Sequence, residues 1–191
     1  MSTNFDDWLN SKQIDDPALM NTVVLEYYDH IYRLACSILG DGQDAADVVQ
    51  ETFITVRNHL KGYRVGTNFK AWISTIAVNH ARMALRRQKS RQNLHDEMKA
   101  LIEPGDGYLS PEVSVLRNER DHQLWTAVSG LKEKHRFPII LRYVHSFPIR
   151  EIAQILGIKE GTVHSRLHYA IRKLELQLKD ELPDRKKENL P

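Results

Sequence analysis

The chain has 191 residues, 41% hydrophobic and 27% charged, with a formal net charge of +2; such proportions describe a folded globular protein and exclude a disordered one. Its longest apolar runs, such as Pro138-Ile139-Ile140-Leu141, fall far short of the ~20 residues that cross a bilayer, which excludes membrane insertion by a helix. The opening stretch carries Asp6 and Asp7 and no basic run, unlike a secretory or transit peptide, and the single cysteine, Cys36, sits in an apolar helical pattern as a buried hydrophobe would in a reducing compartment, so a cytoplasmic location is expected.

Residues 1–17 form an N-terminal extension. The first periodic segment, Ala18–Leu39, sets Val23, Val24, Tyr27, Ile31, Leu34 and Ile38 on one helical face and stops at Gly40-Asp41-Gly42. A second helix is expected from near Asp44, turning Ala45, Val48, Val49, Thr52, Phe53 and Val56 inward, with its acidic first turn suited to a helix N-terminus. After a loop between Gly62 and Gly66, a third helix runs from Asn68 to about Arg91, with Phe69, Trp72, Ile73, Ile76, Ala77, His80 and Leu85 on its inner stripe. Residues 92–111, with Pro104, Gly105, Asp106, Gly107 and Pro111, read as a flexible linker holding at most a short helix near Leu94–Ile102. Four further helices are expected over 112–130, 132–145, 148–156 and 160–179, followed by a charged tail, 180–191. No segment alternates as a strand would. The fold expected is all-α, with two small helical domains over 18–91 and 112–179.

Charge is unevenly spread. Residues 1–54 hold Asp6, Asp7, Asp15, Asp16, Glu26, Asp29, Asp41, Asp44, Asp47 and Glu51 against only Lys12 and Arg33. Residues 61–91 hold Lys61, Arg64, Lys70, Arg82, Arg86, Arg87, Lys89 and Arg91 and no carboxylate. A solvated helix face ordinarily mixes signs, so this second stretch points to nucleic acid. Near the C-terminus, Arg150 to His164 has the punctuation of a helix-turn-helix: apolar Ile152, Ala153, Ile155 and Leu156, a turn at Gly157, then Ile158 and Val163. Beyond it, Leu167, Ile171 and Leu174 hold the inner side of the last helix. Its other face carries Thr162, His164, Ser165, Arg166, His168, Tyr169 and Arg172, groups that meet base edges and phosphates in a major groove. A purely structural helical hairpin is the plainer alternative. His164 and His168 alone make a poor metal pair, because no third ligand lies near in sequence.

Three motifs together resemble the extracytoplasmic-function (ECF) class of bacterial RNA polymerase sigma factors. Asp44 to Phe53 (DAADVVQETF) resembles the family's acidic AEDxxQExF helix. Phe69 to Asn79 (FKAWISTIAVN) resembles its FxxWLxxIAxN promoter-melting segment, and EIA at Glu151 with GTVHSRL from Gly161 resembles its EIA…GTVxSRL. The likeness spans roughly residues 18–91 and 112–178 and implies a sigma-2-like bundle and a sigma-4-like helix-turn-helix domain. It implies docking of Asp47, Gln50 and Glu51 on the clamp helices of the polymerase largest subunit, with Phe53 more in keeping with the core. A basic protein groove suits that acidic helix. It also implies contact with the second-largest subunit's flap and regulation by an anti-sigma factor.

For the −10 element, the likeness places Tyr63 and Asn79 in a pocket for an unpaired base and sets Lys61, Arg64, Asn68, His80, Arg82 and Arg86 along the backbone. Trp72 is either core or a melting wedge. Single-stranded capture of this kind must offset unstacking of a few kcal/mol per base. For the −35 duplex, it implies reading by His164, Ser165, His168 and Tyr169, with Arg166, Arg172 and Thr162 on phosphate. Three departures stand out: Ala46 where the family has Glu, His164 and Tyr169 where Arg or Lys is commonest, and Pro138 inside a helix, which should bend it or move its start towards Phe137. An ordinary regulator using the helix-turn-helix alone would not need the basic segment 61–91. No nucleotide loop, nucleophile motif or metal spacing suggests an enzyme, a cofactor or a catalytic residue.

Overall fold

A computed structural model describes residues 17–63, 68–99 and 119–181, with side chains over 19–63, 68–92 and 123–178. Arg64, the extension before Pro17, most of the linker, the first residues of the expected 112–130 helix and the end of the tail lie outside the described residues. Every element among those described is helical. The chain divides into two compact units.

In the first unit, α1 (Pro17–Leu39) opens on a proline, whose fixed φ suits a first helical turn. Leu19, Val23, Ile31, Leu34, Ala35 and Ile38 form its buried seam, the i, i+4, i+7 spacing of one helix face. Gly40, at φ +71, ends α1 and donates its N–H to the Cys36 carbonyl at 2.9 Å, a left-handed cap that costs glycine no Cβ clash. Cys36 is half-buried rather than fully enclosed. Its burial pushes the thiol pKa up, opposed by a hydrogen bond from Tyr32.

The second helix, α2 (Gly42–His59), starts two residues before the expected Asp44 because Asp41 caps it. The Asp41 carboxylate accepts from the N–H groups of Gln43 and Asp44 at 2.7 and 3.0 Å, satisfying donors that the first turn leaves open. The expected inner face is buried in full, from Ala45 to Val56. A 3-10 turn, Leu60–Gly62, follows. Helix α3 (Phe69–Lys99) runs eight residues beyond the expected Arg91; residues 92–99 contain neither glycine nor proline, so nothing in their chemistry ends the helix. Helices α1, α2 and α3 pack pairwise into a three-helix bundle. The buried Ser74 hydroxyl lies 2.9 Å from His30 Nε2, so this core polar group is satisfied.

The remaining elements are α4 (Glu119–Ser129), α5 (Glu133–Ile139), a π-turn (Ile140–Val144), α6 (Ile149–Leu156) and α7 (Glu160–Glu181), which make up the second unit except for Gln154–Leu156 at the end of α6. Pro138 does not move the start of its helix towards Phe137, which corrects that expectation. The α5 helix begins at Glu133 and passes through the buried Pro138. A π-turn follows, in which the His145 N–H reaches back five residues to the Ile140 carbonyl at 3.1 Å. A proline lacks the N–H that would bond the carbonyl four residues earlier, here that of Lys134, so α5 goes without that bond.

Candidate nucleic-acid interfaces and docking face

The turn between α6 and α7 is set by Gly157, at φ +64, after which the Ile158 N–H bonds the Ala153 carbonyl at 2.9 Å. This six-to-one bond is the Schellman closure of α6. Along α7, Val163, Leu167, Ala170 and Leu174 are buried at spacings of four, three and four. That seam fixes which side faces out. His164, Ser165, His168, Tyr169 and Arg172 are exposed, and Thr162 and Arg166 flank them half-buried. From Thr162 to Arg172 the helix advances about 15 Å at 1.5 Å per residue, enough to lie in a major groove ~12 Å wide. The seven expected −35 residues therefore occupy one side of one helix.

Sequence reading missed the neighbours of that side. Leu131, Lys132, Lys134 and His135, at the start of α5, meet Thr162, Ser165, Arg166, Tyr169 and Lys173 of α7 around a hollow of about 460 Å³. The imidazole of His135 stacks on the Tyr169 ring with centroids 4.3 Å apart and planes 25° apart. Burial holds the His135 pKa below its ordinary value; the Arg166 backbone carbonyl opposes this, and the charges of Lys134, Arg166 and Lys173 add to the lowering. Burial likewise lowers Arg136, against the pull of Glu133, while its guanidinium donates to the Ser129 carbonyl at 3.3 Å. The run LKEKH held the signal for this hollow, but only the packing of α5 on α7 brings its lysines to the reading helix.

In the first unit, Asp47 and Gln50 are exposed on α2, whereas Glu51 is half-buried and engaged. Its Oε2 receives His80 Nδ1 at 3.0 Å and its Oε1 receives the Arg87 guanidinium at 3.2 Å. The other His80 nitrogen lies 2.9 Å from Thr55 Oγ1. Nearer the start of α2, Asp44 pairs with Arg91 at 3.2 Å. Asp44, Asp47, Glu51, Arg87 and Arg91 line a smaller hollow of about 180 Å³ with Val48 and Ala84. The basic run is therefore not all directed one way: Arg87 and Arg91 answer the acids of α2.

The remaining −10 candidates fall into two groups. Lys61, Asn79 and Arg86 are exposed, and Arg82 is half-exposed with its guanidinium 3.3 Å from Asn79 Oδ1. Tyr63, by contrast, is only 6% exposed. Its ring meets Phe69 edge-on at 5.0 Å and Trp72 at 5.1 Å, and the half-buried Trp72 meets Phe69 at 5.3 Å. Asn68 caps α3, its side-chain oxygen accepting from the Ala71 N–H at 3.1 Å. His80 faces Glu51, as described. Among the described residues no group of three or more His, Cys, Asp or Glu side chains could hold a metal, and no helix is long and apolar enough to cross a membrane.

Comparison with known proteins agrees with this division. The model of Sigma-70 region 2 matches residues 23–91, and that of Sigma-70 region 4 matches residues 121–174. The ECF RNA polymerase sigma factor SigW of Bacillus subtilis is 31% identical over 177 residues, covering 88% of this chain and 93% of the relative. SigL, an ECF RNA polymerase sigma factor of Mycobacterium tuberculosis, is 32% identical over 170 residues, covering 86% and 92%. Two solved structures share the fold. The sigma factor RpoE of Bartonella quintana, in complex with the anti-sigma factor NepR, has a TM-score of 0.62 at 24% identity over 85% of this chain and 98% of that one. CnrH, in complex with the cytosolic domain of CnrY, has a TM-score of 0.68 at 20% identity over 94% and 100%.

Two helical units of this kind, one with an acidic and basic helix pair and one with a helix-turn-helix, define a sigma-70-type initiation factor. The chain belongs to the ECF RNA polymerase sigma factors. As a sigma factor it binds core RNA polymerase and directs promoter-specific transcription initiation; the catalysis of RNA synthesis is the polymerase's.

Proposed function

We propose that the work is divided between domains 18–91 and 112–179, joined by residues 92–111, of which 92–99 continue helix α3. Asp47 and Gln50, exposed on α2, dock on the largest-subunit clamp helices, and Glu51 serves them by fixing α2 to α3. Asn79 captures an unpaired −10 base, while Lys61, Arg82 and Arg86 follow the single strand. Trp72 forms the edge of that pocket, with the buried Tyr63 behind it as support. In the second domain His164, Ser165, His168 and Tyr169 read the −35 duplex, and Arg166, Arg172 and Thr162 hold its backbone. The domain also meets the flap of the second-largest subunit. An anti-sigma factor restrains the protein in the cytoplasm, a reading supported by RpoE having been solved with one.

The observation that carries this reading is the row His164, Ser165, His168, Tyr169 and Arg172, exposed opposite the buried seam of α7. Side chains that a bundle needs for packing lie on one side, and groups with hydrogen-bonding edges lie on the other. Run-off transcription tests it. Sigma-free core polymerase plus this chain should yield transcripts from a discrete subset of a genomic promoter library. Transcripts absent from every promoter would contradict it.

A further inference from the structure

The hollow beside the reading helix shares Thr162, Ser165, Arg166 and Tyr169 with the −35 assignment above, whereas Leu131, Lys132, Lys134, His135 and Lys173 lie outside it. Lys132 and Lys134 reach it from the start of α5, and Arg166 and Lys173 reach it from α7. No carboxylate is among the residues that line it, and none of these four cations has an acidic partner among the described residues. Four like charges around one open hollow repel one another and destabilise the folded unit unless an anion joins them. On the first unit of the same chain, Arg87 and Arg91 are answered by Glu51 and Asp44. The unanswered cluster is therefore a local feature and does not reflect a shortage of acids in the chain. The lowered His135 pKa, to which Lys134, Arg166 and Lys173 contribute, records the same positive field.

Position decides which anion. Ser165 and Tyr169 line the hollow and also belong to the exposed row of α7. Anything seated in the hollow lies immediately beside a duplex whose major groove holds α7. The nearest anion in that arrangement is the phosphate of the DNA strand bordering the groove. The His135 ring, stacked on Tyr169, lies at the junction and holds the tyrosine at the boundary between backbone and base edges.

We propose that this hollow seats a backbone phosphate of the −35 duplex, gripped by Lys132, Lys134, Arg166 and Lys173. The proposal rests on α7 being the −35 reader and adds a contact that anchors it without reading sequence. Lys132 and Lys134 are exposed and lie off the reading row, so they report on the seat alone.

The test uses the full chain and a −35 duplex selected from a randomised library, with a scrambled duplex of equal length, titrated by fluorescence anisotropy over a range of salt. Each phosphate neutralised contributes about 0.9 to the slope of log affinity against log salt. The Lys132→Gln, Lys134→Gln double variant should show a slope shallower by roughly 0.9, the share of one phosphate, and lose affinity by the same factor on both duplexes. A scan of the selected duplex with single methylphosphonate linkages should reveal one position that weakens the wild type and leaves the double variant unaffected. An unchanged slope overturns the seat, as does a loss confined to the selected sequence. A wild-type chain with no preference for the selected duplex overturns the −35 reading instead, and the slope difference then still decides the seat.

Discussion

Glu51 and His80 face each other across the seam between α2 and α3, with His80 Nδ1 3.0 Å from Glu51 Oε2. Sequence likeness assigns the first to polymerase docking and the second to the −10 strand, yet the two form one contact. Arg87 and Thr55 extend it on either side. The helix assigned to polymerase and the helix assigned to separated DNA are thus fastened at the residues that distinguish them.

That fastening is measurable. In thermal or denaturant unfolding of the full chain, Glu51→Gln and His80→Ala should each destabilise, and their double variant should fall short of the sum. Groups in direct contact couple by roughly 0.5–3 kcal/mol. Strict additivity would mean that the contact contributes nothing in solution.

The turn of the helix-turn-helix offers a second test. Gly157 sits at φ +64, and an added Cβ would meet nothing within 4 Å. Gly157→Ala therefore isolates backbone strain from steric clash and should cost about 1–2 kcal/mol, with Gly157→Asn costing less because asparagine tolerates this region. Equal stability of all three proteins would show that the turn relaxes out of the left-handed conformation.

His135 makes stability depend on pH. Its folded pKa lies below the ordinary 6.5, so below pH 6.5 the unfolded chain takes up the proton more readily than the folded one. The contribution of the neutral ring is complete above 6.5 and is lost as the pH falls through the folded pKa. Replacing His135 with Phe keeps an aromatic stack on Tyr169 and removes the titration. The difference in unfolding free energy between wild type and His135→Phe should change across mildly acidic pH and be flat above it. A difference independent of pH would remove His135 as its source.

His164 and His168 are exposed on the same row of α7, one turn apart. Replacing either with Ala should relax base preference at the −35 element by about 1–3 kcal/mol for each specific base pairing that the imidazole made, read by competition between selected and singly substituted duplexes. Unchanged preference with lowered affinity would move them from base edges to backbone.

Much of this was legible in the residues. Apolar spacing identified the seam of α2 in full and most of those of α1 and α7, where Val24, Tyr27 and Ile171 are only half-buried, and Gly157 with its neighbours marked the turn, because local periodicity and backbone freedom dictate both. What could not be read depends on packing across elements. Arg87 and Arg91 look like two more cations of a nucleic-acid stretch until α3 lies against α2 and sets them opposite Glu51 and Asp44. Tyr63 looks available for stacking until Phe69 and Trp72 enclose it. Lys132 and Lys134 join the reading helix only through the packing of α5 on α7.

The division of labour between the two units is tested most directly by open-complex formation on paired templates, one fully duplex and one mismatched across the −10 region so that its strands are already apart. Holoenzyme carrying Asn79→Ala should lose at least about tenfold in run-off on the duplex template, since capture of an unstacked base offsets a few kcal/mol, and should recover on the premelted one. Holoenzyme carrying His164→Ala and Tyr169→Ala together should remain impaired on both. Equal rescue of the two holoenzymes, or rescue of neither, would contradict the assignment of melting to the first unit and duplex reading to the second.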